Sequence, residues 1–321
     1  MKILFITNMY PTKDHIYQGI HVKEQIEYLS QTQIFDHEIY IINGKASKLN
    51  YLKSIFQINK LICSKEIDIL HIHFGLSGLF MLFNPFIKTP SVLTLHGSDI
   101  TKPGLMQTIT RIVARKVNRI IILNDKMRIL LNTSLNNLYK IPCGINIDQF
   151  SLNRKNGATS DFIIGFPGDK NRPEKNYKLF KKIIIKLAEA HKNIKIIEFH
   201  NLTRAQVIEK LSTLDCLLMT SIREGSPQII KEAMASGVPV ISTNVGDVSN
   251  LLDSVEYCWV IDSFEPEQFT DKLAQLFLLR PEQRLTNGRS KIIDLKLDQA
   301  SVTKRIYAIY ENILSDNEKA S

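Results

Sequence analysis

At 321 residues the chain exceeds one ordinary hydrophobic core and points to two domains. Its 44% hydrophobic and 23% charged content are those of a soluble globular protein, and no apolar run approaches the ~20 residues that a helix needs to span a bilayer. The net charge of +9 is uneven: residues 1–150 hold 17 Lys/Arg against 10 Asp/Glu, residues 151–321 hold 24 against 22, so an anionic partner belongs with the first half. Cys63, Cys143, Cys216 and Cys258 show no C-x-x-C spacing and read as reduced core thiols of a cytoplasmic protein rather than a disulfide set or zinc site.

The opening MKILFITNMY has no small-residue cleavage site and reads as a first strand. Further β-branched runs follow at 37–42, 67–73, 91–95, 119–123 and 138–141, with helical patterns such as Gly19–Ser30 and Tyr51–Ser64 between them. The polar stretch Asp148–Ser160 reads as a linker. The alternation restarts with strands at 162–166, 195–199, 215–219, 239–242 and 257–261, and a last helical pattern covers Asp298–Leu314. The pattern predicts α/β architecture: two Rossmann-like, doubly wound domains, 1–150 and 161–298, facing a central cleft. Neither G-x-G-x-x-G after the first strand nor G-x-x-x-x-G-K-[ST] occurs, so the common dinucleotide and nucleoside-triphosphate fingerprints are missing. Nucleic-acid binding has only the charge in its favour.

The most informative stretch is SIREGSPQIIKEAMASGVPVISTNVGD, Ser221–Asp247, where Glu224 and Glu232 flank the start of a helix. Ser226 is expected to cap that helix, with Pro227 at its first position. A nucleoside diphosphate laid along the helix start would rest its phosphates on the amides of Gly225, Ser226 and the residues beyond. Glu232, roughly 9 Å along the axis from Ser226, would then meet a ribose, and Glu224 the sugar at the other end. Lys170, Arg172 and Lys175, after the strand at 162–166, supply cations for the phosphates. No Asp-x-Asp occurs, so no metal-diphosphate site is expected and the leaving group falls to these cations and the helix dipole.

The run EGSPQIIKEAMASGVPVIST resembles the E-x7-E signature of family 4 retaining glycosyltransferases of the GT-B fold. DILHIHFG (68–75), TLHGSDI (94–100), IPCGINIDQF (141–150), the RPEK loop and VGDV (245–248) agree in order. The resemblance implies that Glu224 contacts the donor sugar, Glu232 the ribose, and Lys175 the phosphates, with Arg172 standing in for the usual arginine. It also implies that Gly19 lets the first loop approach the diphosphate, that His96 faces the reaction centre, and that the last helix, 299–315, packs back on the first domain. The implied activity is metal-independent, cofactor-free transfer, of hexosyltransferase type, from a nucleotide-diphosphate-sugar to a glycan or lipid-linked acceptor in cell-surface polysaccharide synthesis. Where the family has a glycine-containing loop, this chain has EFHNLTRAQV (198–207), which leaves the base open. The alternatives are a non-catalytic nucleotide-sugar or glycan-binding protein, or an epimerase of the same fold.

His71 and His73 share a strand face and read as core or cleft-lining residues rather than a metal pair. In LMQTITRIVARKVNR, Arg111, Arg115 and Arg119 recur every four residues, a basic stripe that could meet an acceptor or the inner face of an anionic membrane. Leu105, Ile109, Ile112, Val113 and Val117 are expected to form a different, apolar face that packs on the sheet.

Overall fold

The computed structural model describes residues 1–12, 16, 18–84, 86–132, 137–152 and 161–320, without the side chains of 318–320. The chain divides into two compact units, Met1–Gly144 with Gln299–Ser321, and Ile145–Asp298. Of the polar stretch read as a linker, residues 153–160 lie outside the described residues, and Ile147–Gln149 form a single 3-10 turn.

The first unit runs β1 (Lys2–Thr7), α1 (Ile20–Thr32), β2 (Asp36–Ile41), α2 (Leu49–Ser64), β3 (Ile69–His73), α3 (Phe80–Phe83), β4 (Ser91–Thr94), α4 (Ser98–Thr101), α5 (Leu105–Ala114), β5 (Arg119–Ile122), α6 (Asp125–Leu131) and β6 (Leu138–Lys140). Its strands are all parallel in the order β2-β1-β3-β4-β5-β6. The period-two alternation of a strand sends Ile3, Phe5 and Ile69 to one face and Leu4, Ile6, Leu70 and Ile72 to the other. Both faces are buried, which is why these strands are apolar throughout. The first face is covered by Val22, Ile26 and Leu29 of α1; the second receives Ile55 and Ile58 of α2, Phe80 and Met81 of α3, and Val113 of α5.

The second unit runs β7 (Phe162–Phe166), α7 (Tyr177–Ala190), β8 (Ile194–Glu198), α8 (Arg204–Leu211), β9 (Cys216–Met219), α9 (Gln228–Ala235), β10 (Val240–Thr243), α10 (Val248–Leu252), β11 (Trp259–Ile261), α11 (Pro266–Phe277) and α12 (Gly288–Asp294). Its parallel order is β11-β10-β9-β7-β8. Ile145 and Phe150 lie in this unit's core. The final helix, α13 (Gln299–Ala320), returns to the first unit, where Val302, Ile306, Ile309, Tyr310 and Ile313 complete the layer begun by α1.

Each sheet reverses its winding once, between β1 and β3 in the first unit and between β7 and β9 in the second. At such a point the two following loops part to opposite faces and leave a crevice beyond the strand ends, where ligands of open α/β sheets bind. Gly19 ends the loop after β1. It adopts φ 67°, and a Cβ there would lie 2.2 Å from the Met9 carbonyl oxygen, so this turn admits glycine on its own local geometry. Gly19→Ala should lower unfolding stability by about 1–3 kcal/mol in denaturant titration; a loss within error would show that the loop relaxes freely.

Candidate functional site

The loops after β7 and β9 carry the charged residues singled out in the sequence. Thr220 Oγ1 donates to the Lys175 carbonyl at 3.0 Å and the Ile222 amide donates to the Glu174 carbonyl at 2.9 Å, so the two loops are stitched together across the reversal. Within that frame Lys175 Nζ donates to Glu224 Oε1 at 2.7 Å, and Ser221 Oγ donates to the same oxygen at 2.8 Å. Glu224 is thereby held by two donors, both largely shielded from solvent. Arg172 takes a different course. Its guanidinium binds Glu174, with Nε donating at 2.9 Å, and its side chain is over half exposed, so here it points at its neighbour rather than at Glu224.

The helix after Glu224 begins later than the sequence suggested. Pro227, at φ −69° and ψ 114°, is the N-cap, and the first helical residue is Gln228. Ser226 does not cap: it lies in the loop with Gly225, and its buried Oγ meets no partner among the described residues. The reason is that Pro227 adopts extended ψ, which turns the chain into the helix one residue further on. The loop is backed by Gly246, at φ 61°, where a Cβ would lie 2.3 Å from the Gly225 carbonyl oxygen.

Glu232 sits in the second turn of α9, buried, and is paired with Arg204 at the first position of α8. The Arg204 guanidinium lies 5.1 Å from the centroid of the Phe150 ring, and its other arm reaches Gln149 at 3.5 Å. Sequence reasoning missed Arg204. Its only signal was a lone arginine after Thr203, whose side chain and Gln206 form a capping box. The fold thus places both motif glutamates beside a cation, Lys175 for one and Arg204 for the other.

In the first unit His96 lies in the loop after β4, half-buried against Phe74 at 4.2 Å between ring centroids and His21 at 4.9 Å. Its Nε2 shares a hydrogen bond with His73 Nδ1 at 3.1 Å. Behind them His71 Nε2 meets Thr94 Oγ1 at 2.8 Å and His71 Nδ1 meets the Tyr310 hydroxyl. His71 and His73 are core residues, and no group of three His, Cys, Asp or Glu side chains among the described residues is arranged to hold a metal. Burial pushes His71 down to about 3 and holds His73 and His96 well below the ordinary imidazole range, so all three rings are neutral near pH 7. Asp99 lies in the first turn of α4: its carboxylate accepts from the amides of Gly75, His96 and Gly97, although burial still raises it to about 6.

The basic stripe does not form. Helix α5 ends at Ala114, with Arg115 as its C-cap, and Arg119 is the first residue of β5, paired with Asp316. Arg111 Nε donates to the Leu130 carbonyl at 2.8 Å at the end of α6. Of the three arginines only Arg115 is exposed. Nor is the apolar face wholly inward, since Leu105 and Ile112 are exposed while Val113 and Val117 are buried. A helical period extrapolated through Arg115–Asn118 carried the pattern past the end of the helix.

Two family models match the chain: Glycosyl transferases group 1 over residues 148–290 and Glycosyl transferase 4-like over residues 18–124. TuaC of Bacillus subtilis, a glycosyltransferase assigned to teichuronic acid biosynthesis, is 25% identical over 213 residues, 57% of this chain and 55% of its own. The match therefore spans about half the length of that relative. Among solved structures, sucrose-phosphate synthase of Thermosynechococcus elongatus has a TM-score of 0.80 at 12% identity, covering 98% of this chain and 99% of its own. HepE of Anabaena in complex with UDP has a TM-score of 0.71 at 16% identity, covering 97% and 100%. The chain thus carries a glycosyl transferase 4-like domain and a glycosyl transferases group 1 domain, and it has the GT-B fold of those structures.

Two expectations arise from this geometry. Removing Arg204 takes from the buried Glu232 its cation, so Arg204→Ala should lower unfolding stability by about 1–3 kcal/mol in denaturant titration; a loss within error would show that the pair does not support the fold. The histidine cluster sets a pH dependence. Between pH 6.5 and about 3 the unfolded chain takes up a proton that folded His71 refuses, so stability falls on acidification, by ~1.4 kcal/mol per pH unit for that residue. Asp99, raised to about 6, acts in the opposite sense between pH 6 and 3.8 and offsets roughly one histidine, leaving His73 and His96 to keep the net slope positive. The thermal midpoint should drop from pH 7 to pH 5 and drop less in His71→Gln; a midpoint that rises on acidification contradicts the assignment.

Proposed function

We propose that the protein is a retaining glycosyltransferase of hexosyltransferase type that moves a sugar from a nucleoside-diphosphate sugar to a glycan or lipid-linked acceptor in cell-surface polysaccharide synthesis. The observation that carries this reading is the arrangement at the β7/β9 reversal: two glutamates eight positions apart, each paired with a cation, on either side of a helix start. That UDP is bound in the HepE structure supports a nucleoside diphosphate as the ligand class. The assignment to teichuronic acid biosynthesis of the TuaC relative supports a cell-surface polysaccharide as the product class.

In this reading Glu232 accepts hydrogen bonds from the ribose hydroxyls and Glu224 from the transferred sugar. The diphosphate lies over Gly225, Ser226 and the start of α9, where the buried Ser226 hydroxyl can donate to a phosphate oxygen. Lys175 turns from Glu224 toward the phosphates, and Arg172 leaves Glu174 to join it, so that two cations neutralise the charge released on the leaving group without a bound metal. The acceptor hydroxyl attacks the anomeric carbon, the bond from that carbon to the diphosphate oxygen breaks, and the released phosphate oxygen takes the acceptor proton. Attack on the face the diphosphate leaves retains the configuration.

Activity should survive EDTA, and Lys175→Ala should reduce turnover about a hundredfold or more while weakening donor binding. Full loss of transfer in EDTA, restored by manganese or magnesium, would overturn the charge assignment. Glu232→Ala should weaken UDP binding by about 1.5–3 kcal/mol, whereas Glu224→Ala should reduce turnover more than UDP affinity. If UDP binds Glu232→Ala as tightly as wild type, the ligand runs the other way.

A further inference from the structure

Helix α2 is apolar on both sides. Ile55 and Ile58 face the sheet, and Leu61 and Ile62 pack beside them. The remaining stripe, Leu49, Leu52 and Phe56, recurs at helical spacing on the opposite side, with Phe56 77% exposed. Next to it stands α3, whose end is fastened to α2 by Asn84 Nδ2 donating to Asn59 Oδ1 at 2.9 Å. Helix α3 ends on Phe83, 61% exposed, and the chain leaving it carries Phe86, 85% exposed, whose amide donates to Asn84 Oδ1 at 3.2 Å. Single exposed apolar side chains are ordinary on a protein surface, but three phenylalanines and two leucines on two joined elements are not.

The segments that form this patch carry charge of one sign only. No Asp or Glu occurs from Ile39 to Lys65 or from Ile69 to Ser98. Lys45, Lys48, Lys53, Lys60 and Lys88 are exposed there and form no ion pair among the described residues. The opposite face of the same sheet is different: α1 and α13 carry Glu24, Glu27, Glu311 and Asp316 among their basic residues, and Lys23 is paired with Glu27 at 3.6 Å. A second copy of this chain would bring the same lysines against themselves, while a bilayer with anionic headgroups offers both the apolar depth and the opposite charge.

We propose that the α2–α3 face of the first unit docks on the anionic surface of a lipid bilayer, with Phe56, Phe83 and Phe86 entering the headgroup region and Lys53, Lys60 and Lys88 meeting the lipid phosphates. This replaces the arginine stripe, which the fold dismantles, by a different surface of the same unit. It rests on the proposed transferase reading only for its purpose, which is to bring the protein to a lipid-linked acceptor; the docking itself needs no turnover. Two weak contributions, shallow apolar insertion and lysine attraction, make the attachment reversible and salt-sensitive.

The test is co-sedimentation with vesicles of phosphatidylglycerol and phosphatidylcholine in equal parts, and of phosphatidylcholine alone, in low and high salt. Wild type should sediment with the anionic vesicles in low salt only. Phe56→Ser/Phe83→Ser/Phe86→Ser and Lys53→Gln/Lys60→Gln/Lys88→Gln should each bind at least tenfold more weakly, and Arg115→Gln should bind as wild type does. A thermal shift with UDP, unchanged in both triple variants, shows that they fold and separates this proposal from the donor reading. Binding by the variants equal to wild type, no binding of wild type to anionic vesicles, or a wild-type dimer in light scattering that the phenylalanine variant dissolves would each overturn it.

Discussion

The candidate site depends on β7 pairing with β9 on one side and β8 on the other. Because the winding reverses there, the loop with Lys175 and the loop with Glu224 leave the sheet toward opposite faces and meet only across the reversal. Neither loop could hold its charged residue alone. The Thr220 and Ile222 hydrogen bonds join them, Gly246 props the second, and the Lys175–Glu224 ion pair then forms between groups whose backbones are already fixed. A shielded pair with one partner removed leaves a charge uncompensated, so in the free protein Glu224 stabilises the lysine for which the phosphates later compete. Donor binding in this account is an exchange of partners.

The first unit reaches its reversal by different means. Its strand ends carry neutral rings rather than ions: His71, His73 and His96 are hydrogen-bonded and stacked in a layer that excludes water, with the Tyr310 hydroxyl of α13 closing one end. Burial costs less for a neutral imidazole than for a charged one, which fixes the protonation state without any acidic partner.

Much of this was legible in the sequence, for identifiable reasons. Parallel strands buried on both faces read as continuous apolar runs, so FIIGF and ILHIH announced themselves, and the Glu224–Glu232 spacing survives because both residues lie in one loop–helix segment. Contacts between separate segments were not legible. Arg204 joins Glu232 across twenty-eight positions, and no periodicity links α8 to α9. The Ser226 cap failed because a serine before proline fits the N-cap pattern, yet the extended Pro227 moved the helix start. The arginine stripe failed because spacing of four was carried across a helix end, into a residue the strand pattern also claimed. The exposed side of α2 was hidden for the opposite reason: an apolar helix looks buried all round until the sheet shows which side it covers.

Hydrogen exchange of the whole protein, followed by mass spectrometry with and without saturating UDP, GDP or ADP, tests the central claim most directly. The account predicts that at least one of the three slows exchange in peptides covering 168–176 and 222–232, the loops after β7 and β9 with the start of α9. Exchange unchanged in both segments while a nucleotide is demonstrably bound, or protection confined to other strand ends, would contradict it.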